Sequence, residues 1–193
     1  MTLTQQDICN FWIRLYFGTT NPTQLRLAAI ERAYRDFNRT MHGIAKTQSN
    51  SAKLSLCNLL IEITNEGINN TFNQVDFDIW HKAMCDKLKL KFITLIGYEI
   101  SYGQAQKWIN MSLKYMSALG NTIIIGVEKN YKYFHIPIDN IIQDKLKNHN
   151  INRIPISWSR LDNYDVYLSY QIELRNKFSN QIPLDVEFRL FNS

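Results

Sequence analysis

Apolar side chains recur at intervals of three and four residues along most of this chain, the spacing with which an α-helix buries one face. The first such segment begins after the polar residues 4–7 and ends at Gly18. Its apolar stripe consists of Ile8, Phe11, Trp12 and Leu15. The sequence contains no Asn-Gly or Asp-Gly dipeptide of the kind that closes a β-hairpin. These features predict a mainly α-helical protein.

Seven further helices are predicted from the same periodicity and from residues that start or stop a helix. Asn21-Pro22 fits the N-cap and first position of the second helix, and Gly43 fits its end. Gly67 likewise fits the end of the third helix, and Gly120 the end of the helix that carries Lys107. The predicted ranges are 22–43, 51–66, 75–90, 102–119, 139–148, 160–177 and 184–191.

Two apolar runs fit more than one structure. Residues 92–100 are short, apolar and β-branched, and they suit either a strand or a turn of buried helix. Residues 122–127, Thr-Ile-Ile-Ile-Gly-Val, read locally as a strand. The expected fold is therefore mainly α with a short β element around 122–127. A length of 193 residues predicts a single domain over 1–193, and the alternative is two lobes, about 1–90 and 91–193, with a cleft between them.

Composition limits the class of protein. Hydrophobic residues make up 45% of the chain, enough for a folded core, and the net charge of +5 suits an anionic partner such as nucleic acid. Three isolated cysteines, with no Cys-x-x-Cys or Cys/His cluster, predict neither a disulfide framework nor a metal site. The N-terminus lacks the features of a signal peptide, and no apolar stretch approaches the length of a membrane span. We therefore expect a soluble, cytoplasmic protein with no metal and no membrane partner.

Two ionisable residues form a candidate catalytic pair. Lys107 lies near the start of the helix predicted at 102–119, and Asp139 follows it by 32 residues, just before another helical run. An amine at one helix start and a carboxylate at the next can face each other across a cleft, which suits a Schiff-base nucleophile with an electrostatic partner. Each residue also has an ordinary structural interpretation, Lys107 as a surface lysine and Asp139 as an N-cap.

Three motifs surround this pair: Gln106-Lys107, Lys114-Tyr115 and Ile136-Pro137-Ile138-Asp139. Together they resemble the catalytic core of helix–hairpin–helix DNA glycosylases, and within that superfamily the archaeal 8-oxoguanine glycosylases most closely. Those enzymes have a catalytic lysine that opens a helix and an aspartate in an Ile-Pro-Val-Asp-like motif at a similar separation. The resemblance covers residues 100–145 and implies a helical, glycosylase-like domain.

The sequence departs from the pattern of that superfamily in two places. Ile100-Ser-Tyr-Gly-Gln-Ala-Gln106 stands where those proteins have a Gly-x-Gly hairpin, and Asn140-Ile141 replaces the arginine that often follows the aspartate. These departures suggest a divergent member that acts on an unusual base, such as a modified base in phage DNA. Whether the enzyme serves DNA repair or phage defence, which base it excises and whether strand cleavage follows are left open.

The resemblance also implies the roles of individual residues. Lys107 would be the nucleophile and Asp139 the group that stabilises the cationic sugar, in an enzyme that acts on double-stranded DNA without a cofactor. A monomer is expected, and the oligomeric state is left open. The target base would flip out of the duplex into an aromatic pocket. Candidates for that pocket are Trp12, Trp80, Trp108, Phe134 and Trp158, each of which also fits the core of the protein. Candidates for DNA contact are Lys87, Lys89, Lys91, Gly103 and Gln104.

Two other functions stay open at the level of sequence. Arg35 and His42 have the Arg-x6-His spacing of HEPN-type ribonucleases, in which the histidine acts as an acid or base and the arginine binds phosphate. The second alternative is a non-catalytic helical module that binds DNA or another protein. In such a module Lys107 would contact a phosphate and Asp139 would cap a helix.

Overall fold

The computed structural model of this protein describes residues 2–41 and 49–193. In these ranges the chain folds into eight α-helices joined by turns and short 3₁₀ segments, and it contains no β-strand. The helices are α1 (Gln5–Phe17), α2 (Pro22–Asn38), α3 (Asn50–Asn69), α4 (Gln74–Ile96), α5 (Tyr102–Leu119), α6 (Asn140–Lys147), α7 (Tyr164–Lys177) and α8 (Pro183–Asn192). The mainly α fold predicted from the sequence is confirmed.

The starts of the first two helices follow the predicted caps. Thr4 and Asp7 form a capping box at the start of α1, in which each side chain accepts a hydrogen bond from the backbone amide of the other residue. Asn21 caps α2 through its side-chain oxygen, and Pro22 occupies the first helical position. Gly18 ends α1 with a φ of 79°, a left-handed conformation that glycine adopts without strain. Short-range hydrogen bonds therefore set these boundaries.

Helix α3 does not end at Gly67, as the sequence predicted, but continues through it to Asn69. A Cβ atom on Gly67 would lie 2.7 Å from the ring of Trp80 in α4, closer than such atoms approach each other. The missing side chain therefore lets α4 pack closely against α3. Gly67 serves the contact between two helices and does not terminate one.

Two other helix ends also differ from the prediction. α4 continues to Ile96 and stops at Gly97, which has a φ of 71°, so the first half of the ambiguous run 92–100 is helical. α2 ends at Asn38. Its predicted end near Gly43 lies outside the described residues.

The short strand predicted at 122–127 is wrong. The segment forms turns, in which the amide of Ile124 donates to the carbonyl of Gly120 at 2.9 Å and the amide of Gly126 donates to Asn121 Oδ1 at 2.8 Å. A strand needs a second strand with which to share backbone hydrogen bonds, and the described ranges contain none. Backbone amides of this β-branched run therefore make their hydrogen bonds within local turns.

Helix α5 forms the centre of the molecule, where it packs against α2, α3, α4 and α7. On the α2 side, the Trp108 ring stacks on Phe37 with centroids 5.2 Å apart, and the indole N–H donates to the Ile30 carbonyl at 3.1 Å. Because neighbours enclose this helix, most of its polar side chains do not reach solvent. They must find partners inside the protein, since an unpaired buried polar group is costly.

The division into two lobes near residue 90 stays a prediction. Helix α4 runs through that position without a break and packs against both α3 and α5. Among the helices described here, none combines the length and the apolar character that crossing a membrane requires.

Candidate active site

Helix α5 carries six buried polar side chains. They are Gln104, Gln106, Lys107, Asn110, Ser112 and Lys114. Ser112 donates to a carbonyl of its own helix, whereas each of the other five bonds to a residue from another part of the chain. Polar groups placed on the central helix work against a simple apolar core, and such local conflicts are expected at functional sites. The partners of these side chains therefore define the candidate site.

Lys107 and Asp139 meet in an ion pair, which places these two predicted residues side by side. Lys107 Nζ lies 2.6 Å from Asp139 Oδ2, and the lysine side chain is 6% exposed while that of the aspartate is 24% exposed. The other carboxylate oxygen accepts from the amide of Ile142 at 2.9 Å, which confirms Asp139 as the N-cap of α6. One oxygen is thus fixed by a helix start, the other is directed at the amine, and the pair is open to solvent on the carboxylate side.

A close contact at the start of α5 brings Trp158 beside Lys107. The amide of Gly103 donates to the carbonyl of Leu161 at 2.8 Å, and a Cβ atom on Gly103 would lie 1.6 Å from the carbonyl oxygen of Trp158. Because only glycine permits this approach, the segment 158–161 can rest on the first turn of α5. Lys107 Nζ consequently lies 5.9 Å from the centroid of the Trp158 ring, within the range of a cation–π interaction.

A second ion pair lies two helical turns further along the same face of α5. Lys114 Nζ is 2.7 Å from the carboxylate of Glu187 in α8, and these two side chains are only 7% and 5% exposed. Burial raises the pKa of Glu187, while the positive charges of Lys114 and Lys107 oppose that rise. Because the negative charge of Asp139 also acts on the Glu187 pKa, the four ionisable groups form one electrostatic cluster.

The segment 134–138, which leads into Asp139, has no regular secondary structure and is held by two glutamine side chains. Gln106 of α5 pairs with the backbone of Ile138, and Gln171 of α7 pairs with that of Ile136. Each side-chain amide donates to a carbonyl and accepts from an amide, as a neighbouring strand would. The one sequence signal for Gln106 was its position beside Lys107 in the resembling motif, and Gln171 had none.

Two fully buried histidines, which the sequence did not single out, lie next to this segment. The rings of His81 and His135 have centroids 4.5 Å apart. His135 lies between the Tyr167 hydroxyl at 2.9 Å and Asp78 Oδ1 at 2.8 Å, and His81 Nε2 lies 2.9 Å from Asn110 Oδ1. Burial lowers the pKa of both histidines, and that of His81 falls well below its ordinary value. Both rings are therefore neutral at pH 7 and act as hydrogen-bonding members of the core.

The aromatic residues predicted to line a base pocket lie at different depths. Trp158 is the member placed beside Lys107. Trp108 and Phe134 are fully buried in the core, and Trp80 packs between α3 and α4. Trp12 is 60% exposed on α1. Trp158 is itself only 7% exposed, so its ring is largely covered in this structure.

The three lysines predicted to contact DNA follow one another on α4. Lys87 lies 3.7 Å from the carboxylate of Glu62 and is partly exposed. Lys89 is mostly covered, because its amine binds Asp162. Lys91 lines, together with Lys87, a cavity of about 440 Å³ between α3 and α4. Lys87 and Lys91 therefore face the same side of the molecule, and Lys89 serves a contact within it.

Gly103 and Gln104 lie in the segment that stands in place of the Gly-x-Gly hairpin, and they were predicted to contact DNA. Both residues are buried. The amide of Gly103 is already bonded to the carbonyl of Leu161. The side chain of Gln104 accepts from the Ser101 amide at 3.0 Å and donates to the Thr40 hydroxyl at 3.1 Å. In this structure both residues join the start of α5 to neighbouring segments.

The residues of the ribonuclease alternative are described only in part. Arg35 is exposed on α2 and lines a cavity of about 420 Å³ together with Arg39 and Lys53. His42 lies outside the described residues, so the predicted Arg35–His42 pair has no geometry here. Within the described ranges, no group of three or more His, Cys, Asp or Glu side chains is arranged to hold a metal ion.

No protein-family model matches this chain, and no curated protein and no solved structure is significantly similar to it. At the level of class, the chain is an all-helical domain. The resemblance to helix–hairpin–helix glycosylases consequently rests on the sequence motifs around Lys107 and Asp139 alone.

Proposed function

We propose that this protein is a DNA glycosylase that excises a damaged or modified base from double-stranded DNA. One observation carries the proposal: a lysine amine and a carboxylate, far apart in the sequence, meet at 2.6 Å at the starts of two helices. The same carboxylate is held by the first turn of α6. A nucleophile and an electrostatic partner need this combination of contact and fixed position.

In the proposed reaction, the bond between the base and the sugar C1′ breaks and its electron pair leaves with the base. The Asp139 carboxylate stabilises the positive charge that develops on the sugar. Lys107 transfers a proton to Asp139 Oδ2, 2.6 Å away, and its lone pair then bonds to C1′. The nitrogen then gives up its second proton, O4′ takes it up as the C1′–O4′ bond opens, and a Schiff base forms between C1′ and Nζ. Hydrolysis of this Schiff base returns the enzyme, and elimination from it would cut the strand.

Three groups near the pair have the chemistry to hold a flipped base. The ring of Trp158 is only 7% exposed, so the segment 158–161 must move before this ring can stack on a base that has left the duplex. Lys114 offers a hydrogen-bond donor and Glu187 an acceptor, and both side chains belong to the same charge cluster as Lys107. We infer that these two exchange their mutual contact for hydrogen bonds to the edge of the base.

Contact with the DNA backbone is assigned to the positive charge on α4. The chain has a net charge of +5, and Lys87 and Lys91 lie four residues apart on one side of that helix. Phosphate contacts of this kind supply affinity and position without reading sequence. The two lysines therefore support a DNA partner, whereas the choice of base is left to the buried cluster.

Borohydride trapping tests the proposed reaction, because it converts a Schiff base into a stable covalent adduct. Wild type, Lys107→Gln and Lys82→Gln are incubated with oligonucleotides that carry damaged bases and with modified phage genomes, and abasic sites are scored in parallel. Lys82 is an exposed lysine of α4 that pairs with Asp86, so its replacement removes the same charge away from the site. We expect an adduct with wild type and Lys82→Gln and none with Lys107→Gln. Asp139→Asn should slow base release about 100-fold, since the developing charge loses its partner.

The other outcomes of this experiment separate the alternatives. Abasic sites without an adduct would indicate base excision by water, and Asp139 would then be the main catalytic group. Equal adducts with wild type and Lys107→Gln would place the nucleophile elsewhere. No product on any substrate would contradict the glycosylase and favour a non-catalytic helical module, in which Lys107 binds a phosphate and Asp139 only caps α6.

A further inference from the structure

We propose that Gln106 is a positioning residue that holds Asp139 at a fixed distance from Lys107. The inference rests on the proposed function, because it gives Gln106 a part in the same reaction. Gln106 directly precedes Lys107 on α5, and the residue that it binds, Ile138, directly precedes Asp139. One side-chain amide therefore joins the two backbones at the positions next to the reacting groups.

The amide of Gln106 uses its full capacity for hydrogen bonds. Its Nε2 donates to the carbonyl oxygens of Gly103 at 2.9 Å and Ile138 at 3.0 Å. Its Oε1 accepts from the Ile138 amide at 3.2 Å and from Asn110 Nδ2 at 3.0 Å. A carboxamide has two donor hydrogens and an oxygen with two lone pairs, so every position is occupied. Rotation of this side chain would break all of these bonds together.

Asn110, one turn further along α5, fixes the direction in which the Gln106 amide faces. Its Nδ2 donates to Gln106 Oε1 and to the Tyr167 hydroxyl, the latter at 2.8 Å. Its Oδ1 lies 2.9 Å from Nε2 of the neutral His81, which acts as the donor. Because the oxygen of Asn110 is committed to His81, its nitrogen must face Gln106, and only the oxygen of Gln106 can receive it.

The backbone of Ile138 depends on this amide. Its N–H and its C=O are both bonded to Gln106, and the residue is fully buried. Without the amide, both groups would be unpaired in the interior unless the segment moved to find other partners. A segment that moves carries Asp139 with it. The loss of Gln106 should therefore change the geometry of the Lys107–Asp139 pair.

Gln171 offers a matched control on the same segment. It pairs with Ile136 in the same two-bond manner, accepting from the amide at 3.1 Å and donating to the carbonyl at 2.7 Å. Both glutamines are buried, but Ile136 lies two residues further from Asp139 than Ile138 does. If both glutamines only held the segment in place, replacing either one should lower kcat equally. If Gln106 positions Asp139, its replacement should lower kcat more than that of Gln171.

The experiment compares Gln106→Met and Gln171→Met with wild type in base-release kinetics. Circular dichroism gives the folded fraction of each variant, and the rates are corrected for it. We expect Gln106→Met to lower kcat by about 10- to 100-fold with KM changed less than about twofold, because misplacement by about 1 Å can cost 100-fold. Gln171→Met should lower the corrected kcat by less than about threefold, because Gln106 still binds Ile138, the residue next to Asp139.

Gln106→Glu adds a second measurement, the pH dependence of activity per folded molecule. A purely structural role of Gln106 would leave this dependence unchanged. The substituted side chain keeps the shape and the acceptor of glutamine, but it can donate a hydrogen bond only when it is protonated, and then to just one of the Gly103 and Ile138 carbonyls. Relative to wild type at the same pH, the activity of Gln106→Glu should therefore rise as the pH falls. Gln171→Glu should not give this rise in activity per folded molecule.

Two results would overturn the proposal: equal corrected losses of kcat in Gln106→Met and Gln171→Met, or a pH profile of Gln106→Glu parallel to that of wild type. A wild type that releases no base would instead refute the proposed function. Hydrogen exchange then decides the positioning claim separately. Faster exchange at Ile138 and Asp139 in Gln106→Met but not in Gln171→Met supports it, and unchanged exchange there overturns it.

Discussion

At the scale of single residues, the two ion pairs of α5 differ in how far they are closed to solvent. The Lys107–Asp139 pair is open on the carboxylate side, whereas both members of the Lys114–Glu187 pair are almost fully covered. Taking two charges out of water costs free energy, which a buried pair recovers only through close geometry and further contacts. Lys114 has such a contact, because its amine lies 4.6 Å from the ring centroid of Phe191. The closed pair should therefore add little net stability while making the loss of either partner costly.

Removing one charge or both from the closed pair tests this view. Lys114→Met leaves the Glu187 carboxylate buried without a cation, and we expect the free energy of unfolding to fall by about 3–5 kcal/mol. Lys114→Met combined with Glu187→Leu replaces both groups by apolar ones of similar volume and should stay within about 1–2 kcal/mol of wild type. Urea unfolding at neutral pH measures both variants. A double variant less stable than the single one would show that the pair itself stabilises the fold.

At the scale of elements, the starts of α1, α2 and α6 were predictable because a cap and the amide that it binds are neighbours in the sequence, whereas α7 begins at Tyr164 and not at the predicted residue 160. Thr4, Asn21 and Asp139 each accept a hydrogen bond from the first turn of their own helix. The continuation of α3 through Gly67 and the absence of the predicted strand depended on distant parts of the chain. Gly67 lies inside α3 because a tryptophan from another helix packs on it, and residues 122–127 do not form a strand because no second strand pairs with them.

The same distinction between neighbouring and distant partners applies to the candidate site. Lys107 and Asp139 could be singled out from the sequence because each stands near the start of a predicted helix. The sequence therefore showed both the type of side chain and its place on the helix. Gln106, His81 and His135 could not be assigned, because their partners, Ile138, Tyr164 and Tyr167, come from distant parts of the chain. A buried glutamine and a surface glutamine look alike in a sequence until the fold supplies their neighbours.

The junction between α5 and the segment 158–161 gives a prediction at this scale. Gly103→Ala places a Cβ atom 1.6 Å from the Trp158 carbonyl oxygen, so the segment must move away and the free energy of unfolding should fall by at least about 3 kcal/mol. Gly97→Ala is the control, because it meets no atom within 4 Å and strains only a positive φ of 71°. We expect it to cost about 1–2 kcal/mol. Thermal unfolding compares the two, and equal shifts in Tm would contradict the close approach at Gly103.

At the scale of the whole molecule, a buried hydrogen-bond network ties α4, α5, α7 and the segment 134–138 together. Its inner members are His81, Asn110, Tyr167 and His135. At its outer end, Asp78 binds both terminal nitrogens of Arg175, at 3.0 and 2.8 Å. Burial alone would raise the pKa of Asp78, but hydrogen bonds from His135 and Arg175 lower it to about 2. The network therefore holds a charged pair near the surface and neutral rings in the interior.

This division of charge predicts how stability changes with pH. The unfolded chain takes up a proton on each of His81 and His135 near the ordinary pKa of 6.5, whereas the folded protein, in which burial lowers both pKa values, does not. The free energy of unfolding should therefore fall as the pH drops below that value, by up to about 1.4 kcal/mol per pH unit for each histidine. His135→Gln should be less stable than wild type at about pH 8, because it breaks the network, but its stability should fall less steeply towards about pH 5, because only one of the two buried histidines remains. Urea unfolding across this range gives both curves. Curves that stay parallel would mean that His135 is protonated alike in the folded and unfolded states, so that its burial does not keep it neutral.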